Sequence, residues 1–514
     1  MNEILGEIGQ SGLAKQRLPL EGLRVTSLEH SVAAPLCTRM LADLGASVVK
    51  IERPGSGDFG RHWDSAVQGL SSYFVWLNRN KRSMTLNLKT EQGKKILHTL
   101  LSKSDVFVQN LGPGGAEKLG FGPEAIRKEY PNLIYCSISG YGRDGPYRDE
   151  KAYDLLIQGE SGLISLTGYE DKPAKVGVSI SDISSGLYSA IAVLSALRRR
   201  DASGNGAFID MSMFDCMLDI VAGPALYFLY TGKSLRREGM RHNIIVPYGP
   251  FIAKDGKYVS FAVENQDEWK TFCNEVICRP DLVEDSRFIS NERRLKNRRI
   301  LEPIIESVFL SKSAKEWSRK FHEVEIACGR VNNLSEVVSH PQLKYRGLMQ
   351  KLTTEKGAIS NIGNPIRIDG ARPKMTRLPS LGEDTREVLK ELGIVAKVRV
   401  SINKDIEKAK DALKKVVTFY SLAAHYRDML AEMGLQKEIA EIQENYKKSG
   451  FKAAAKAVSD DMLTRIPVVP ATSMKDLKQG LKKYDTCGAT RILVAYVPST
   501  ETSTQETIDF ISQW

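Results

Sequence analysis

Two acidic side chains in the middle of the chain have the type and setting expected of a covalent catalyst. Asp182 lies in the segment VGVSISDISSG, after a strand-like run and directly before an apolar pattern that predicts a helix from about Ile183 to Arg199. Small residues between Ser181 and Gly186 leave room for a substrate, and an ionised, desolvated carboxylate can act as a nucleophile. The alternative is a structural N-cap, whose carboxylate accepts a backbone N–H and is held ionised by the helix dipole.

The second acidic residue belongs to the same half of the chain. Asp154 stands in the segment KAYDLLIQGESG, directly after Tyr153. A pair of carboxylates can work as nucleophile and helper, or both can be surface groups. His30 in SLEHSVAAP is a further candidate, although a lone histidine more often packs or caps than acts as a base. Because the sequence contains no Ser/His/Asp order, HExxH, Walker loop or EF-hand, carboxylate chemistry is the leading hypothesis.

Polar residues also follow the ends of predicted strands, where open α/β sheets bind their ligands. The strand SVVKIE ends at Glu52 and is followed by Arg53, and Asn110 follows a later strand. An arginine can stack on an adenine ring or pair with a phosphate. The alternatives are a solvated pair of Glu52 with Arg53 and, for Asn110, a turn-forming role. These positions predict a ligand-binding edge.

A glycine motif follows another predicted strand. The segment SGYGRDGP spells GxGxxG with Gly140, Gly142 and Gly145. Dinucleotide-binding loops have this spacing, but they also require an apolar helix that opens at the third glycine. Here Pro146 and a polar stretch follow instead. We therefore expect a glycine-rich ligand or active-site loop rather than an NAD site.

The elements that must position these residues alternate between strands and helices. Residues 21–53 predict a strand, a helix over Ala34–Leu44 and a second strand, and the alternation continues to about residue 140. This pattern predicts an α/β fold with a parallel sheet and helices on both faces. From Gly239, a hairpin with a Lys-Asp-Gly turn and charged helices indicate a smaller α+β domain. We divide the chain into a large domain (17–230), a small α+β domain (231–335), a segment that completes the large domain (336–397) and a C-terminal extension (398–514).

Composition narrows the partners and the compartment. The 514 residues are 42% hydrophobic and 26% charged, which is typical of soluble globular proteins. The net charge of +11 favours anionic partners, and because no nucleic-acid motif occurs, a polyanionic small molecule is favoured over nucleic acid. Seven cysteines without a CxxC pair predict neither a disulfide framework nor a metal site. Since no membrane-spanning stretch or secretion signal is recognisable, we expect a cytoplasmic protein without a membrane partner.

Several motifs follow one another in a specific order between residues 17 and 397. They are LEHSVAAP, LGASVVKIERPGSGD, NRNKRS, VQNLGPGGAEKLGF, ISGYGRDGPY, VSISDISSG, VPYGPFIAKDG, NPIRIDG and LGEDTREVLKELG. In this order they resemble the family III CoA-transferases, which include formyl-CoA transferase and α-methylacyl-CoA racemase. The resemblance implies an enzyme with no tightly bound cofactor, whose substrates are a coenzyme A thioester and a carboxylic acid. It also implies a Rossmann-like large domain, a small domain and an interlocked homodimer.

The resemblance implies roles for individual residues as well. Asp182 matches the nucleophile of the family, which forms an aspartyl anhydride and then an aspartyl-CoA thioester. The positions that match CoA contacts are His30, Ala33, Arg53, Leu86, Lys89, Asn110, Lys118 and Lys151. Lys118 replaces an arginine of formyl-CoA transferase and lacks its bidentate fork. Val32 replaces a glutamine near the active site of that enzyme, which argues against formyl or oxalyl chemistry.

The reaction type is predicted from the residue before Asp154. The racemase branch uses a histidine there, whereas this chain has Tyr153, which is a poor base near neutral pH. CoA transfer is therefore favoured over proton transfer by Asp154 or Asp182. The motifs of the small domain are similar to those of transferases acting on C4 and C5 dicarboxylates. Arg241 and Arg330 are candidate partners for a distal carboxylate, or else surface or dimer residues.

Two stretches of the extension carry a second resemblance. TFYSLAAHYRDMLAEMG and DMLTRIPVVPATSMKDLKQGLKKYDTCGATRILV are similar to the C-terminal part of luciferase-like flavin- or deazaflavin-dependent oxidoreductases. Those enzymes are (β/α)₈ barrels of about 250 residues, and the extension is too short for a whole barrel. We therefore expect an α/β partial barrel without flavin chemistry of its own. A flavin-linked or non-catalytic assembly role for this tail is the third functional hypothesis.

Overall fold

A computed structural model describes residues 18–393, 395–423, 426–427, 430–431, 433–484 and 491–499. The first seventeen residues, where we expect no secretion signal, and Cys487 lie outside this range. The chain forms two compact units, of which the first ends at Leu381 and the second begins at Gly382. The predicted domain limits at residues 230, 335 and 397 stay predictions.

A parallel sheet forms the centre of the first unit. The strands of this unit are β1 (Arg24–Leu28), β2 (Ser47–Glu52), β3 (Arg82–Thr85), β4 (Val106–Gln109), β5 (Ile134–Ser139), β6 (Gly168–Tyr169), β7 (Lys172–Pro173), β8 (Ala207–Ser212), β9 (Tyr248–Ile252), β10 (Tyr258–Ala262), β11 (Cys328–Arg330), β12 (Met349–Thr354) and β13 (Gly357–Ile362). Within residues 18–393, six of them make one sheet in the order β3-β2-β1-β4-β5-β8, and all its pairs are parallel. The predicted α/β class is confirmed.

Helices cover the sheet because its central strands are apolar and must be buried on both faces. The helices of the first unit are α1 (Ala33–Asp43), α2 (Ser72–Asn78), α3 (Glu91–Leu101), α4 (Gly115–Leu119), α5 (Pro123–Glu129), α6 (Asp154–Glu160), α7 (Leu163–Leu166), α8 (Ile180–Ser203), α9 (Met213–Ile220), α10 (Ala222–Thr231), α11 (Gln266–Thr271), α12 (Asp281–Glu284), α13 (Asn291–Lys296), α14 (Arg298–Phe309), α15 (Ala314–Glu323), α16 (Leu334–Val338) and α17 (Pro341–Tyr345). The core contains the apolar side of α1, the strands beneath it and part of α8.

Helix α8 begins earlier than the sequence predicts, and this changes the setting of Asp182. The helix starts at Ile180, so Asp182 is its third residue rather than the residue before it. The preceding residues 176–179 are irregular rather than a strand. The N-cap residue is Ser179, whose side chain makes no capping hydrogen bond within the described part of the chain. The interpretation of Asp182 as an N-cap after a strand is therefore wrong.

A glycine allows α8 to approach α1 closely. A Cβ atom on Gly186 would lie 2.6 Å from the carbonyl oxygen of Ala33 and 2.9 Å from Cβ of Leu36, so a larger residue would force the helices apart. Since residues four apart share a helix face, Asp182 lies on the same face of α8 as Gly186, one turn before this contact.

Helix α8 also has the length and composition of a membrane span. Its most apolar window is 50% buried inside the protein, as expected for a core helix. Helices α9 and α10 have this length and composition only when they are taken together, and they meet at an angle of 69°. These properties are weak evidence for a membrane span.

The residues between Val246 and Ile326 have an apolar core of their own. Strands β9 and β10 form the predicted antiparallel hairpin, and β11 pairs with β10. Aromatic rings fill the space behind this sheet, with Phe261 stacked on Phe309 and Phe309 on Trp317. The hairpin of β12 and β13 follows. The chain then contacts α1 and the loop between α2 and β3: Asn364 donates to Asp43 on α1 at 3.1 Å, and Asn80 N donates to Arg377 O at 2.8 Å.

The second unit is a small α/β structure. Its elements are α18 (Thr385–Leu392), β14 (Val395–Ile402), α19 (Ile406–Leu422), α20 (Gln436–Lys456), α21 (Asp460–Arg465), β15 (Val468–Ala471), α22 (Met474–Leu481) and β16 (Arg491–Tyr496). Gly393 follows α18 in the left-handed conformation, as expected of a C-cap. In the described residues the strands are parallel in the order β15-β14-β16, with the first strand in the middle. This differs from the consecutive order of strands in a barrel.

Candidate active site

A cleft of about 670 Å³ opens at the carboxyl ends of β1, β2 and β3. Its walls include four of the residues predicted to contact CoA, namely His30, Arg53, Leu86 and Lys89. They come together because they follow three strands of one sheet, His30 after β1, Arg53 after β2, and Leu86 and Lys89 after β3, and parallel strands end at the same edge of the sheet. The cleft is large enough for part of a nucleotide-sized ligand.

Two cations on the wall of the cleft are available to a ligand. Arg53 and Lys89 are both exposed, and neither side chain makes an ion pair within the described residues. Unpaired Arg and Lys side chains beside an apolar wall suit phosphate groups, with Arg53 able to bind in a bidentate way. Leu86 is buried beside them and contributes apolar surface.

His30 is held in place by its neighbours in the cleft. Burial lowers the pKa of its imidazole, and Lys50 and Arg53 act in the same direction, while Asp58 opposes them. The ring lies 4.8 Å from the ring of Phe59. Asn110 accepts a hydrogen bond from the backbone N–H of His30 at 3.0 Å and donates to its carbonyl oxygen at 2.9 Å. Asn110 thus fixes the loop that carries His30.

A buried ionic network lies directly beneath this cleft. Lys50 on β2 donates to Asp58 at 2.6 Å and lies 3.6 Å from Glu29, and Lys81 donates to Glu29 at 2.7 Å. All four side chains are at most 1% exposed. Burial lowers the pKa of Lys81 to about 8, although Glu29 opposes this change. Charges so deeply buried must be paired, and here they connect the loops that form the cleft.

Asp58 makes the connection between two of these loops. Its Oδ1 atom accepts hydrogen bonds from the backbone N–H groups of Gly60 at 2.8 Å and Ser31 at 3.3 Å. Ser31 has a φ of 65°, which is unfavourable for a residue with a side chain, and it lies between His30 and the start of α1. Our sequence analysis missed this network, although a lysine inside the apolar strand SVVKIE is its visible signal.

The predicted solvated pair of Glu52 with Arg53 is wrong. Glu52 is buried and binds Arg61 at 2.7 Å and the Ser83 hydroxyl at 2.6 Å. Burial by itself would raise the pKa of Glu52, but the hydrogen bond from Arg61 and the charge of Lys50 outweigh it and lower the pKa to about 2. Arg53 is thereby left to face the cleft.

Asp154 takes the capping role that the sequence suggested for Asp182. Its Oδ1 atom accepts the backbone N–H of Ser181 in the first turn of α8 at 2.8 Å, and the Ser181 hydroxyl donates to the Asp154 carbonyl oxygen at 3.1 Å. The cap comes from 27 residues upstream, so no local pattern could identify it. Asp154 thereby joins α6 to the helix that carries Asp182.

The carboxylate of Asp182 is half-buried and has no hydrogen-bond partner among the described residues. Burial, together with the charge of Asp154, raises the pKa of Asp182 to about 7. The expectation that a capping geometry holds Asp182 ionised is therefore wrong. A partly accessible carboxylate with a raised pKa and no partner has the properties of a reactive group rather than of a structural one.

The pH dependence of the reaction should report this raised pKa. Because only the ionised carboxylate is nucleophilic, we expect kcat/KM to rise with pH through about 7. In Asp154→Asn the amide oxygen can still cap α8, but the negative charge and the hydrogen bond from Gln158 are lost. The pKa of Asp182 should fall, and the acid limb of the profile should move down by about one pH unit. Asp171→Asn, at an exposed position, is the control, and an unchanged limb in D154N would contradict the prediction.

The other predicted site residues lie outside the lining of the cleft. Ala33 is buried at the start of α1, where it contacts α8. Lys118 lies on α4 beside Leu119, which lines the cleft. Lys151 and Tyr153 are exposed, the latter at 69%. None of these four, nor Asn110, Asp154 or Asp182, lines the cleft itself in the described residues.

Of the two arginines suggested for a distal carboxylate, one is already engaged. Arg241 pairs with Glu302 at 3.2 Å and Glu306 at 2.9 Å, and its guanidinium lies 3.7 Å from the ring centre of Phe251. These ion pairs disfavour Arg241 as the partner of a distal carboxylate, a role that stays a prediction. Arg330 on β11 is exposed and has no ion pair in the part of the chain that is described.

The glycine motif does not have the context of a dinucleotide loop. After Gly145 the described chain has no helix until α6 begins at Asp154. Instead Gly142 N donates to the Ser139 hydroxyl at 3.0 Å, and Gly142 lines a second cleft of about 230 Å³ that shares Leu111 with the first. The expectation that this loop binds a ligand stays a prediction.

Comparison with known proteins decides the family. The family described as CoA-transferase family III matches residues 20–385. This chain belongs to CoA-transferase family III. The transferase is 36% identical over 378 residues to the succinyl-CoA:glutarate CoA-transferase of Mus musculus, covering 73% of this chain and 86% of that protein. It is 35% identical to the acetyl-CoA:oxalate CoA-transferase of Acetobacter aceti, covering 73% of this chain and 96% of that protein.

A solved structure gives the same result for the fold. The CaiB/BaiF family protein of Brucella suis is 36% identical, with a TM-score of 0.65, and the match covers 73% of this chain and all of that chain. The resemblance seen in the motifs is thus confirmed, and the transferase is an enzyme of the CoA-transferase class. These matches span the first unit and leave most of the second unit without a counterpart.

Proposed function

We propose that this enzyme moves CoA between a donor thioester and a short dicarboxylic acid, with Asp182 as the covalent nucleophile. The observation that carries the proposal is the half-buried carboxylate of Asp182, which lacks a hydrogen-bond partner in the described residues and lies one helical turn before Gly186, the residue of α8 that contacts the first turn of α1. Helix α1 starts three residues after His30, which lines the cleft. A CoA molecule held in the cleft can therefore extend along this turn toward Asp182.

The reaction divides one difficult transfer into four exchanges at carbonyl carbons. The Asp182 carboxylate attacks the thioester carbonyl, the C–S bond breaks, and an acyl-aspartyl anhydride and CoA thiolate form. The thiolate attacks the Asp182 carbonyl, and the donor acid leaves as a carboxylate. The acceptor carboxylate then attacks the aspartyl-CoA thioester and expels the thiolate, which finally takes the new acyl group and frees Asp182. No proton or redox partner is required.

The acceptor proposed is a C4 or C5 dicarboxylic acid. The relatives named above are a succinyl-CoA:glutarate and an acetyl-CoA:oxalate CoA-transferase, so both act on dicarboxylic acids. The motifs of the small domain and the replacement of a glutamine by Val32 favour the longer acids over oxalate. With Arg241 engaged by two glutamates, Arg330 is the remaining candidate of the two for the distal carboxylate.

Trapping the covalent intermediate tests the function. The enzyme is incubated with succinyl-CoA and hydroxylamine, digested and examined by peptide mass spectrometry. Hydroxylamine attacks the activated Asp182 carbonyl, so a hydroxamate on the peptide that contains Asp182 is expected. Exchange of the α-proton of an acyl-CoA with deuterium in the absence of an acceptor acid, without any trapped hydroxamate, would point to an isomerase instead. Flavin bound to the purified protein would favour a flavin-linked role.

We also propose that the enzyme is a homodimer, because α10 lacks a covering partner. No residue of this helix is buried within the described chain, although it is largely apolar, and Leu229 and Tyr230 are 72% and 86% exposed. Large exposed apolar patches mark interaction sites.

Sedimentation tests the homodimer. We expect twice the chain mass of 57.2 kDa for the enzyme and a concentration-dependent loss of dimer in Leu229→Glu. Phe419→Glu, which also places a charge at an exposed apolar position but in the second unit, should stay dimeric. A wild-type monomer would contradict the proposal.

A further inference from the structure

One buried amide on α6 joins the segments that hold Asp182. The side chain of Gln158 is fully buried. Its Nε2 atom donates to Asp154 Oδ2 at 2.8 Å and lies 3.4 Å from the carbonyl oxygen of Val178. Its Oε1 atom accepts the backbone N–H of Val176 at 3.0 Å. A glutamine side chain can satisfy these partners at once because it carries both a donor and an acceptor.

These contacts act on an irregular part of the chain. Residues 176–179 belong to no strand or helix, so their backbone groups need partners outside regular structure. Gln158 supplies partners for two of those groups, one from Val176 and one from Val178. The segment leads directly into the first turn of α8, where Asp182 lies.

The same amide fixes the carboxylate beside Asp182. Asp154 uses Oδ1 to cap α8 through Ser181 and Oδ2 to accept from Gln158. With both oxygens engaged, the rotation of this carboxylate is set, and so is the direction of its negative charge. That charge contributes to the raised pKa of Asp182.

We propose that Gln158 is a positioning residue for Asp182, which it orients through the carboxylate of Asp154 and the entry to α8. This inference rests on the proposed function and adds a group that does not touch the substrate. Its loss should lower the rate of acyl transfer and leave CoA binding intact, because the cleft is lined from the loops after β1 to β4 and not from α6.

Steady-state kinetics of Gln158→Met test the proposal. Methionine has a similar volume and no amide, so kcat should fall about 10- to 100-fold, as for the loss of hydrogen bonds to a charged group, while KM for succinyl-CoA changes less than about twofold. Gln350→Met is the matched control. Its side chain also joins two backbone groups of an irregular segment, Pro373 O and Met375 N, but Gln350 lies on β12 and not beside Asp182 in the sequence or on α6. Equal kcat values for the wild type, Q158M and Q350M would overturn the proposal.

Two further variants separate positioning from a general loss of structure. Gln158→Glu places a second carboxylate against Asp154, so the acid limb of the kcat profile should move to higher pH, a shift that a purely structural role would not produce. In the double variant Asp154→Asn with Gln158→Met, the loss in kcat should be clearly smaller than the product of the two single losses. The proposal would be overturned if the loss in kcat of the double variant equalled the product of the two single losses, or if the acid limb of the kcat profile did not move in Q158E. If Asp182→Ala keeps turnover, it is instead the proposed function that fails.

Discussion

Replacing Asp182 by alanine should lower the rate of CoA transfer by about 10³-fold or more, the loss expected when a covalent nucleophile is removed. Without the carboxylate neither the anhydride nor the aspartyl-CoA thioester can form. Direct attack of the acceptor acid on the donor thioester then has no catalyst. Binding of CoA should persist, since the cleft is built from other residues. Initial rates with succinyl-CoA and glutarate, and CoA affinity by calorimetry, measure both quantities.

The control for this experiment is Asp171→Ala, which removes an exposed carboxylate from the turn between β6 and β7. It should leave the rate within about twofold of the wild type, because it changes surface charge alone. Turnover retained in D182A would mean that another carboxylate attacks the thioester. A loss of CoA affinity as large as the loss of rate would mean that Asp182 belongs to the binding site.

Replacing Lys50 by methionine should destabilise the first unit by about 3–5 kcal/mol, the usual effect of breaking a buried ion pair. The change leaves Asp58 without its 2.6 Å partner and removes one of two cations near Glu29. Because Asp58 also holds Ser31 and Gly60, the walls of the cleft should shift and CoA affinity should fall. Urea unfolding followed by tryptophan fluorescence, and CoA titration, check the two effects.

Two comparisons make this result specific. Lys94→Met breaks a pair with Glu91 in which both side chains are substantially exposed, and it should change the stability by less than about 1 kcal/mol. Lys50→Met combined with Asp58→Asn removes both charges and should be more stable than Lys50→Met alone, because no unpaired carboxylate remains at position 58. Equal effects of K50M and K94M would show that the buried network does not support the cleft.

The sequence by itself determined the fold class and the ligand edge. The strand and helix patterns from residue 21 to about 140 depend on local periodicity, and they place His30, Arg53 and Asn110 at the carboxyl ends of parallel strands. Once the strands are parallel, those ends must share one edge of the sheet. The sequence also contains the ordered motifs and predicts that Asp182 lies near the start of a long helix.

The tertiary structure alone decided how these residues are held and charged. Asp154 caps α8 across 27 residues, Glu52 binds Arg61 instead of Arg53, and Arg241 is taken by glutamates of α14. Asp154 and Ser181, like Arg241 and Glu302, are far apart in the sequence. Glu52 has Arg53 beside it in the sequence, which looks as suitable a partner as Arg61. The pKa of a carboxylate depends on its burial and on charges brought close by packing. For that reason the sequence could indicate Asp182, whereas only its burial in the fold and the nearby charge of Asp154 raise its pKa to about 7.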